Sequence, residues 1–301
     1  MNDATVRDER GTALGGGGGR GYVRSMAPSR TVWSALAAVV LLGAAFVGLK
    51  GASATKPPSV RYDALGDSYA AGFGVEPYDG PCRRSRSAYA AQLDGRQLAD
   101  KATVHLDHFV ACSGATTATL VSGGQIDALD RHTDLVTVTI GGNDIGWTSA
   151  LGACLGGTDA QCRTAITADR RTVTDVLPGR LDRVYARIAA AAPHATVLVV
   201  GYPHLFSPTH RDYFLASPAE QRALNGGADL LRGVLAAAAR RHGFDFVDVT
   251  ARFDGHGANG SQPWILGPFT GAPFHPNADG YRAYTAAVAA AVAAAAPGAT
   301  R

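Results

Sequence analysis

A serine at the end of a short apolar run is the residue best placed to do chemistry in this sequence. The run begins at Val60 and stops at Gly66-Asp67-Ser68, and small residues follow it. This pattern predicts a strand that delivers a hydroxyl group to a tight turn. A serine nucleophile also needs a base to take its proton and donors for the oxyanion that it creates. Taken alone, the stretch is more typical of a turn or a helix N-cap, so other residues must decide.

Three later blocks supply candidates for those partners, and they carry Gly114, Asn143 and His275 in chain order. The blocks are Ala111-Cys112-Ser113-Gly114-Ala115-Thr116-Thr117, Val138-Thr139-Ile140-Gly141-Gly142-Asn143-Asp144 and Phe274-His275-Pro276-Asn277. Together with the serine turn they resemble the four blocks of the SGNH, or GDSL-type, hydrolases, over residues 60–296. The stretches Cys82-Arg83-Arg84-Ser85 and Gly201-Tyr202-Pro203 resemble the secreted bacterial lipase and esterase branch of that family.

The resemblance implies a role for each block. Ser68 would be the nucleophile that forms an acyl-enzyme, and His275 would be its base. The Ser68 and Gly114 backbone N–H groups and the Asn143 side-chain amide would be the oxyanion donors. Asp67 and Asp144 are expected to shape their turns by accepting backbone hydrogen bonds. Such chemistry needs no metal and no cofactor, so the expected partner is a small-molecule or lipid ester.

Two other functions are compatible with the same four blocks. A carbohydrate O-acetyl esterase needs the same residues with a more polar pocket, and a catalytically silent binding domain could use the same scaffold. Aromatic residues close to the blocks favour an apolar acyl pocket. They are Trp147, Phe206, Phe214, Trp264 and Phe269.

His275 is one of nine histidines, and His256 is its main rival as the base. His105 and His108 lie three apart on a predicted strand, so they point to opposite faces and cannot share a metal ion. The sequence departs from the family pattern at Ala272, where many members carry the aspartate that orients the histidine. We therefore expect a dyad, with a main-chain carbonyl, that of Ala272, accepting the histidine N–H.

Apolar runs alternate with helical patterns, which predicts a doubly wound α/β domain. The resemblance implies a three-layer α/β/α sandwich, flavodoxin-like, with five parallel strands in the order 2-1-3-4-5. Ser68 would then lie beside Asn143 at the crevice where the chain reverses direction. A break is expected at Leu177-Pro178-Gly179. Predicted strands are 60–66, 103–110, 134–140, 195–201 and 244–249, and predicted helices are 87–101, 124–131, 164–192, 218–242 and 278–296.

The N-terminus has a different composition from the rest of the 301-residue chain. The sequence predicts that residues 1–54 form a polar tail followed, over 32–49, by a signal peptide or a membrane anchor. Translation could start at Met1 or at Met26. Residues 55–59 form a linker, and 60–301 form the hydrolase domain. The formal charge of +3 comes from this leader, so no basic face suggests nucleic acid. We expect a secreted monomer, or a membrane-anchored one whose only membrane contact is the N-terminal segment.

Four cysteines in an exported domain fit two disulfides. Cys154 and Cys162 bracket a short loop and form the nearest pair, which leaves Cys82 and Cys112. The family resemblance implies that these two also pair. A zinc site is the alternative, but the close Cys-x-x-Cys pairs typical of such sites are absent from the sequence.

Overall fold

A computed structural model describes residues 58–98 and 101–295 of the chain. The predicted tail, signal peptide or anchor (1–54) and most of the predicted linker (55–59) lie outside the described residues. The domain boundaries therefore stay a prediction. Within the described part, none of the helices combines the length and the apolar character that crossing a membrane requires.

Five parallel strands form the central sheet, and a short antiparallel hairpin lies outside it. Their order across the sheet is β4-β1-β5-β6-β7, which is 2-1-3-4-5 in chain order. The five-stranded α/β fold expected from the sequence is confirmed. The strands are β1 (Ser59–Gly66), the hairpin strands β2 (Tyr78–Asp79) and β3 (Arg84–Ser85), β4 (Thr103–Phe109), β5 (Leu135–Thr139), β6 (Thr196–Val200) and β7 (Asp245–Val247).

Eight α-helices surround the sheet in the described part of the chain. They are α1 (Ser68–Ala71), α2 (Tyr89–Leu93), α3 (Thr117–Ser122), α4 (Trp147–Gly156), α5 (Asp159–Arg171), α6 (Leu177–Ala191), α7 (Pro218–Arg241) and α8 (Ala278–Ala295). Helices α2 and α8 pack together, and α6 packs with α3 and α7. All five residues of the central strand β5 are buried, as expected for a strand covered on both faces.

Two of the helix predictions differ from the structure, and helices α1, α3 and α4 were not predicted at all. Helix α2 ends at Leu93, well before the predicted end at residue 101. The region predicted as a helix over 124–131 holds only a 3₁₀ turn, Ile126–Ala128, and α3 precedes it. The helices over 218–242 and 278–296 agree with α7 and α8 to within about one residue.

The predicted break near Pro178 is a π-helical turn instead of an interruption. Helix α5 continues through Thr172–Val176 in π-helical geometry and then into α6, whose first turn contains Pro178. A π turn inserts one extra residue, so it changes which side chains α5 and α6 present to their neighbours.

Two disulfide bonds join Cys82 to Cys112 and Cys154 to Cys162, the pairing expected from the sequence. The first ties the β2–β3 hairpin to the loop that carries Gly114, where the Ser113 N–H also donates to the Cys82 carbonyl at 3.1 Å. The second joins α4 to α5. The described residues contain no free cysteine.

Removing the Cys82–Cys112 bond is expected to lower the free energy of unfolding by about 3–4 kcal/mol, and removing the Cys154–Cys162 bond by about 2–3 kcal/mol. The difference arises because the first bond spans 30 residues and the second only 8, so the first restricts the unfolded chain more. Urea unfolding of the two paired Cys→Ser variants measures both losses. A larger loss for the short loop would contradict this chain-entropy explanation.

Candidate active site

The turn that carries Ser68 depends on a glycine and an aspartate. Gly66 has φ of 134°, and a Cβ there would lie only 2.3 Å from the Thr139 carbonyl oxygen, so a side chain does not fit. Asp67 caps helix α1 by accepting the Tyr69 N–H at 2.9 Å. Ser68 is therefore the first residue of a short helix at the carboxyl end of β1.

The Ser68 hydroxyl lies 2.7 Å from Nε2 of His275, although 207 residues separate them in the chain. Both residues are buried, with 6% and 7% of their surface exposed. Nδ1 of the imidazole lies 2.8 Å from the Pro273 carbonyl oxygen, which can only accept a hydrogen bond. Nδ1 must therefore carry the proton, which leaves Nε2 free to accept the serine proton.

The hydrogen bond of Nδ1 goes to the carbonyl of Pro273, so the acceptor expected at Ala272 was wrong by one residue, and the Ala272 carbonyl makes only a smaller contribution to the imidazole pKa. The Ala272 carbonyl instead accepts the His275 backbone N–H at 3.3 Å. The reason is the backbone of Phe274, whose φ of 59° turns the chain so that the Pro273 carbonyl faces the ring. The spacing of residues in the sequence did not reveal the left-handed backbone conformation of Phe274.

Among the described residues, no carboxylate forms a hydrogen bond or ion pair with His275. Aromatic rings surround it instead, with the ring centres of Phe73, Tyr69 and Trp147 at 4.8, 5.0 and 6.5 Å. The rival His256 stacks on Trp264 at 3.7 Å and lies away from this site. No group of three or more potential ligands within 58–98 and 101–295 is arranged to hold a metal ion.

Burial lowers the pKa of His275 to about 4, against a smaller opposing effect of the Pro273 and Ala272 carbonyls. The imidazole then stays neutral, and able to accept a proton, well below its usual range. We expect kcat/KM for an ester to fall with decreasing pH near pH 4 and not near 6.5. Measuring kcat/KM for a soluble ester across this pH range tests the expectation. An acid limb at 6.5 would contradict the assignment.

A buried carboxyl supplies the control for that profile. Burial raises the pKa of Asp67 to about 7, so this group also titrates in the range measured. An inflection near pH 7 that disappears in Asp67→Asn would belong to Asp67. The acid limb that remains in this variant would report His275.

The predicted oxyanion donors lie around the serine turn. Asn143 lies in a 3₁₀ turn, Gly142–Asp144, directly after β5, and Asn143 and Ser68 line the same cleft. Its Nδ2 donates one hydrogen to the Ala115 carbonyl at 2.9 Å, and a side-chain amide has a second hydrogen to donate. Gly114 is exposed with φ of 86°, a conformation that favours glycine.

Asp144 fixes the Asn143 turn from the other side. Its carboxylate accepts hydrogen bonds from the backbone N–H and the hydroxyl of Thr117 at 2.9 and 2.7 Å. Arg180 of α6 approaches the same carboxylate at 3.1 Å. Asp144 therefore stabilises the backbone by accepting hydrogen bonds, as expected from the sequence, and it joins the Asn143 turn to the start of α3.

Tyr202 links the two halves of the site, which sequence reasoning missed. Its hydroxyl donates to the Asp67 carboxylate at 2.5 Å and accepts the Gly142 N–H at 3.0 Å. A second tyrosine, Tyr69, donates to the Phe274 carbonyl at 2.6 Å. The nucleophile turn is thus bonded both to the Asn143 turn and to the histidine loop. The stretch Gly201-Tyr202-Pro203 was the only sequence signal for the first link.

A cleft with about 850 Å³ of empty space, partly open to solvent, begins at Ser68 and Asn143. Its walls come from α4, α5, the π turn and α7. Most of the lining side chains are apolar. They include Trp147, Leu151, Ile166, Val173, Leu224 and Leu231.

Only Trp147 of the five predicted aromatic residues lines this cleft. Phe206 is buried in the core, and Trp264 packs against His256. Phe214 and Phe269 are exposed and contact each other with ring centres 5.2 Å apart. The cleft is therefore apolar, as expected, but it is built mainly from aliphatic side chains instead of the predicted aromatic ones.

Comparison with known families gives one match that covers most of the described chain. Residues 64–283 match the model of the GDSL-like lipase/acylhydrolase family. Lipase 1 of Streptomyces coelicolor is 36% identical over 252 residues, which span 80% of this chain and 90% of that protein. A lipase of Streptomyces rimosus is 34% identical over 256 residues, spanning 82% and 93%.

Two solved structures are similar to the fold described above. One is phospholipase A1 from Streptomyces albidoflavus, with a TM-score of 0.69 and 36% identity over 76% of this chain and 98% of that one. The other is an extracellular lipase from Streptomyces rimosus, with a TM-score of 0.69 and 33% identity over 77% and 99%.

Proposed function

This chain belongs to the GDSL-like lipase/acylhydrolase family and is a carboxylic-ester hydrolase, and from that premise we propose that Ser68 is its nucleophile and His275 its general base. The observation that carries this proposal is the hydrogen bond of 2.7 Å between the Ser68 hydroxyl and an imidazole nitrogen held unprotonated. A nucleophile within hydrogen-bond reach of an oriented base is the arrangement that serine acyl transfer requires.

The reaction follows from these contacts. Nε2 of His275 takes the hydroxyl proton as the Ser68 oxygen attacks the ester carbonyl, and the imidazolium then gives this proton to the departing alcohol. Water repeats the sequence on the acyl-enzyme and releases the acid. The Pro273 carbonyl keeps the ring orientation throughout, in the position that an aspartate has in a full triad.

The negative oxygen of each tetrahedral intermediate would be held by the backbone N–H groups of Ser68 and Gly114 and by the free amide hydrogen of Asn143. The Asn143–Ala115 bond supports this role because it fixes the amide plane before substrate arrives. Donors that are fixed in advance stabilise developing charge without a reorganisation cost.

The substrates that we propose are lipid or other apolar acyl esters. The cleft next to Ser68 is lined mostly by aliphatic side chains, and such a lining favours an acyl chain over an acetylated sugar. Two similar structures carry the names phospholipase A1 and extracellular lipase. We also propose that the protein is exported, because the sequence predicts a leader and the structure contains two disulfides. Protein in the culture medium should then begin near Thr55, and an intact N-terminus in membranes would contradict cleavage.

The experiment that tests the proposed function is hydrolysis of nitrophenyl esters from acetate to palmitate, with acetylated xylan in parallel. We expect activity on acyl esters longer than acetate and none on the xylan. Covalent labelling by an organophosphonate should require Ser68, so labelling of Ser68→Ala would place the nucleophile elsewhere. Activity on xylan alone would identify a deacetylase, and inactivity on every ester would favour the silent domain.

A further inference from the structure

One carboxylate interrupts the apolar wall of the cleft. Asp169 lies in the last turn of α5 and lines the cleft together with Ile166 and Val173, three residues before it and four after it. Residues at these spacings share one face of a helix. The carboxylate therefore faces the space into which the proposed acyl chain would extend.

Asp169 has no partner for its charge in residues 58–98 and 101–295. No hydrogen bond and no ion pair reaches its carboxylate there, although Arg170 beside it also lines the cleft; its backbone carbonyl, not its carboxylate, accepts the Thr172 N–H. Its pKa is raised to about 6, and burial is the cause. Ordinary aspartates at protein surfaces are solvated or paired, and a half-buried, unpaired one is costly to keep.

The position of this carboxylate is close to the reacting groups. Its Oδ1 lies 3.1 Å from where a Cβ on Gly146 would be, and Gly146 follows the Asn143 turn by two residues. Gly146 also precedes α4, whose first residue, Trp147, packs against the His275 ring. An acyl chain bound to Ser68 and extending along the cleft would thus pass Asp169 early.

We propose that Asp169 is a specificity-determining residue that limits how long an acyl chain the cleft accepts, an inference that rests on the proposed acyl-ester function. An ionised carboxylate keeps water around it, and an acyl chain that displaces this water leaves the charge unsolvated. Short chains that stop before Asp169 avoid that penalty, whereas long chains do not.

The same geometry makes chain-length selectivity depend on pH. Below about pH 6 the carboxyl becomes neutral and tolerates an apolar neighbour, so long chains should gain relative to short ones. The other titratable or charged groups that face the cleft are Asp67, Tyr69, Tyr202 and Arg170, and the lining residues of α4 and α7 are uncharged. Asp67 lies beside Ser68 and is retained in Asp169→Asn, so a pH dependence caused by Asp67 would persist in that variant.

The test compares kcat/KM for nitrophenyl octanoate and butyrate, both kept below their aggregation limits, at pH 5 and pH 8. Dividing kcat/KM for octanoate by kcat/KM for butyrate at each pH removes the effect of pH on catalytic groups that both esters use. In the wild type we expect the octanoate/butyrate ratio to be about fivefold higher at pH 5 than at pH 8, since neutralising the carboxyl removes a desolvation penalty. Asp169→Asn should have a raised ratio that no longer depends on pH.

Two further variants complete the design. Asp169→Leu should raise the ratio at pH 8 by about tenfold, because it adds apolar contact as well as removing the charge. Asp175→Asn removes an exposed carboxylate from the same helical run, outside the cleft, and should leave the ratio unchanged. Even if Asp169→Leu does not fold, the wild-type pH dependence and Asp169→Asn decide the matter.

An unchanged ratio in Asp169→Asn, or a wild-type ratio that is the same at both pH values, would overturn the inference. That failure is distinct from a failure of the proposed function. The latter would appear as turnover of both esters that persists in Ser68→Ala, or as no turnover of either.

Discussion

Replacing His275 by alanine is expected to lower kcat on a nitrophenyl ester by roughly 10⁶-fold, as far as Ser68→Ala and no further in the double variant. In the proposed mechanism the nucleophile and the base act as one unit, because the Ser68 hydroxyl lies 2.7 Å from Nε2 of the imidazole. Once either is lost, losing the other changes little. Additive losses in the double variant would show that the two residues act independently. Circular dichroism of each variant controls for the fold.

Three aspartates near the C-terminal part of the chain serve as matched controls for this result. Asp248 pairs with Arg232, Asp254 lies near His204, and Asp279 pairs with Arg282, so each carboxylate is engaged away from His275. Asp→Asn at each position should keep activity within about tenfold. Loss of an aspartate that orients a catalytic histidine costs about 10⁴. A loss of that size at one of the three would make it a triad member.

Asn143→Ala is expected to lower kcat by roughly 10²–10³ while KM stays nearly constant. The free amide hydrogen would contact the substrate oxygen only once it carries negative charge. Its removal therefore raises the energy of the transition state and leaves ground-state binding unchanged. Steady-state kinetics on a single soluble ester separates the two parameters. A raised KM with unchanged kcat would mean that Asn143 binds substrate and does not stabilise the oxyanion.

Because Asn143 also donates to the Ala115 carbonyl, a structural effect must be separated from a catalytic one. Asn143→Asp has nearly the same shape but donates no hydrogen bond when ionised, so it should lose as much activity as Asn143→Ala. The affinity of a boronic acid that mimics the tetrahedral intermediate should fall in parallel with kcat. If thermal stability falls and inhibitor affinity does not, the loss is structural.

The contact between Ser68 and His275 was easier to predict than the groups that hold the two residues in place. The blocks around Ser68 and His275 are local in sequence, and a parallel sheet with this strand order brings their ends together. The acceptor of the histidine N–H depends on the φ angle of one residue, Phe274, which a side-chain pattern does not reveal. The Tyr202–Asp67 bond joins segments 135 residues apart, and no spacing rule predicts such a contact.

The helices were predicted well only where periodicity was strong. Helix α7 begins with a Ser217–Glu220 capping box and has a clear apolar face. Helix α4 contains Gly152 and ends at Gly156, which hides the helical spacing of its buried residues Ala150, Leu151 and Cys154. The π turn after α5 has no distinctive composition. The helices over 164–192 and 218–242 were therefore predicted, but the cleft that they form with α4, and the place of Asp169 in it, emerged only from the structure.

The sequence separation of 207 between Ser68 and His275, the proposed nucleophile and base, has a consequence for the chain during its synthesis. At the usual rate of translation, His275 leaves the ribosome roughly 10–40 s after Ser68. Until then the Ser68 hydroxyl has no base and is an ordinary alcohol. If Ser68 and His275 have the proposed roles, the nascent chain cannot hydrolyse the esters of the cell that makes it until the His275 loop has folded against the Ser68 turn.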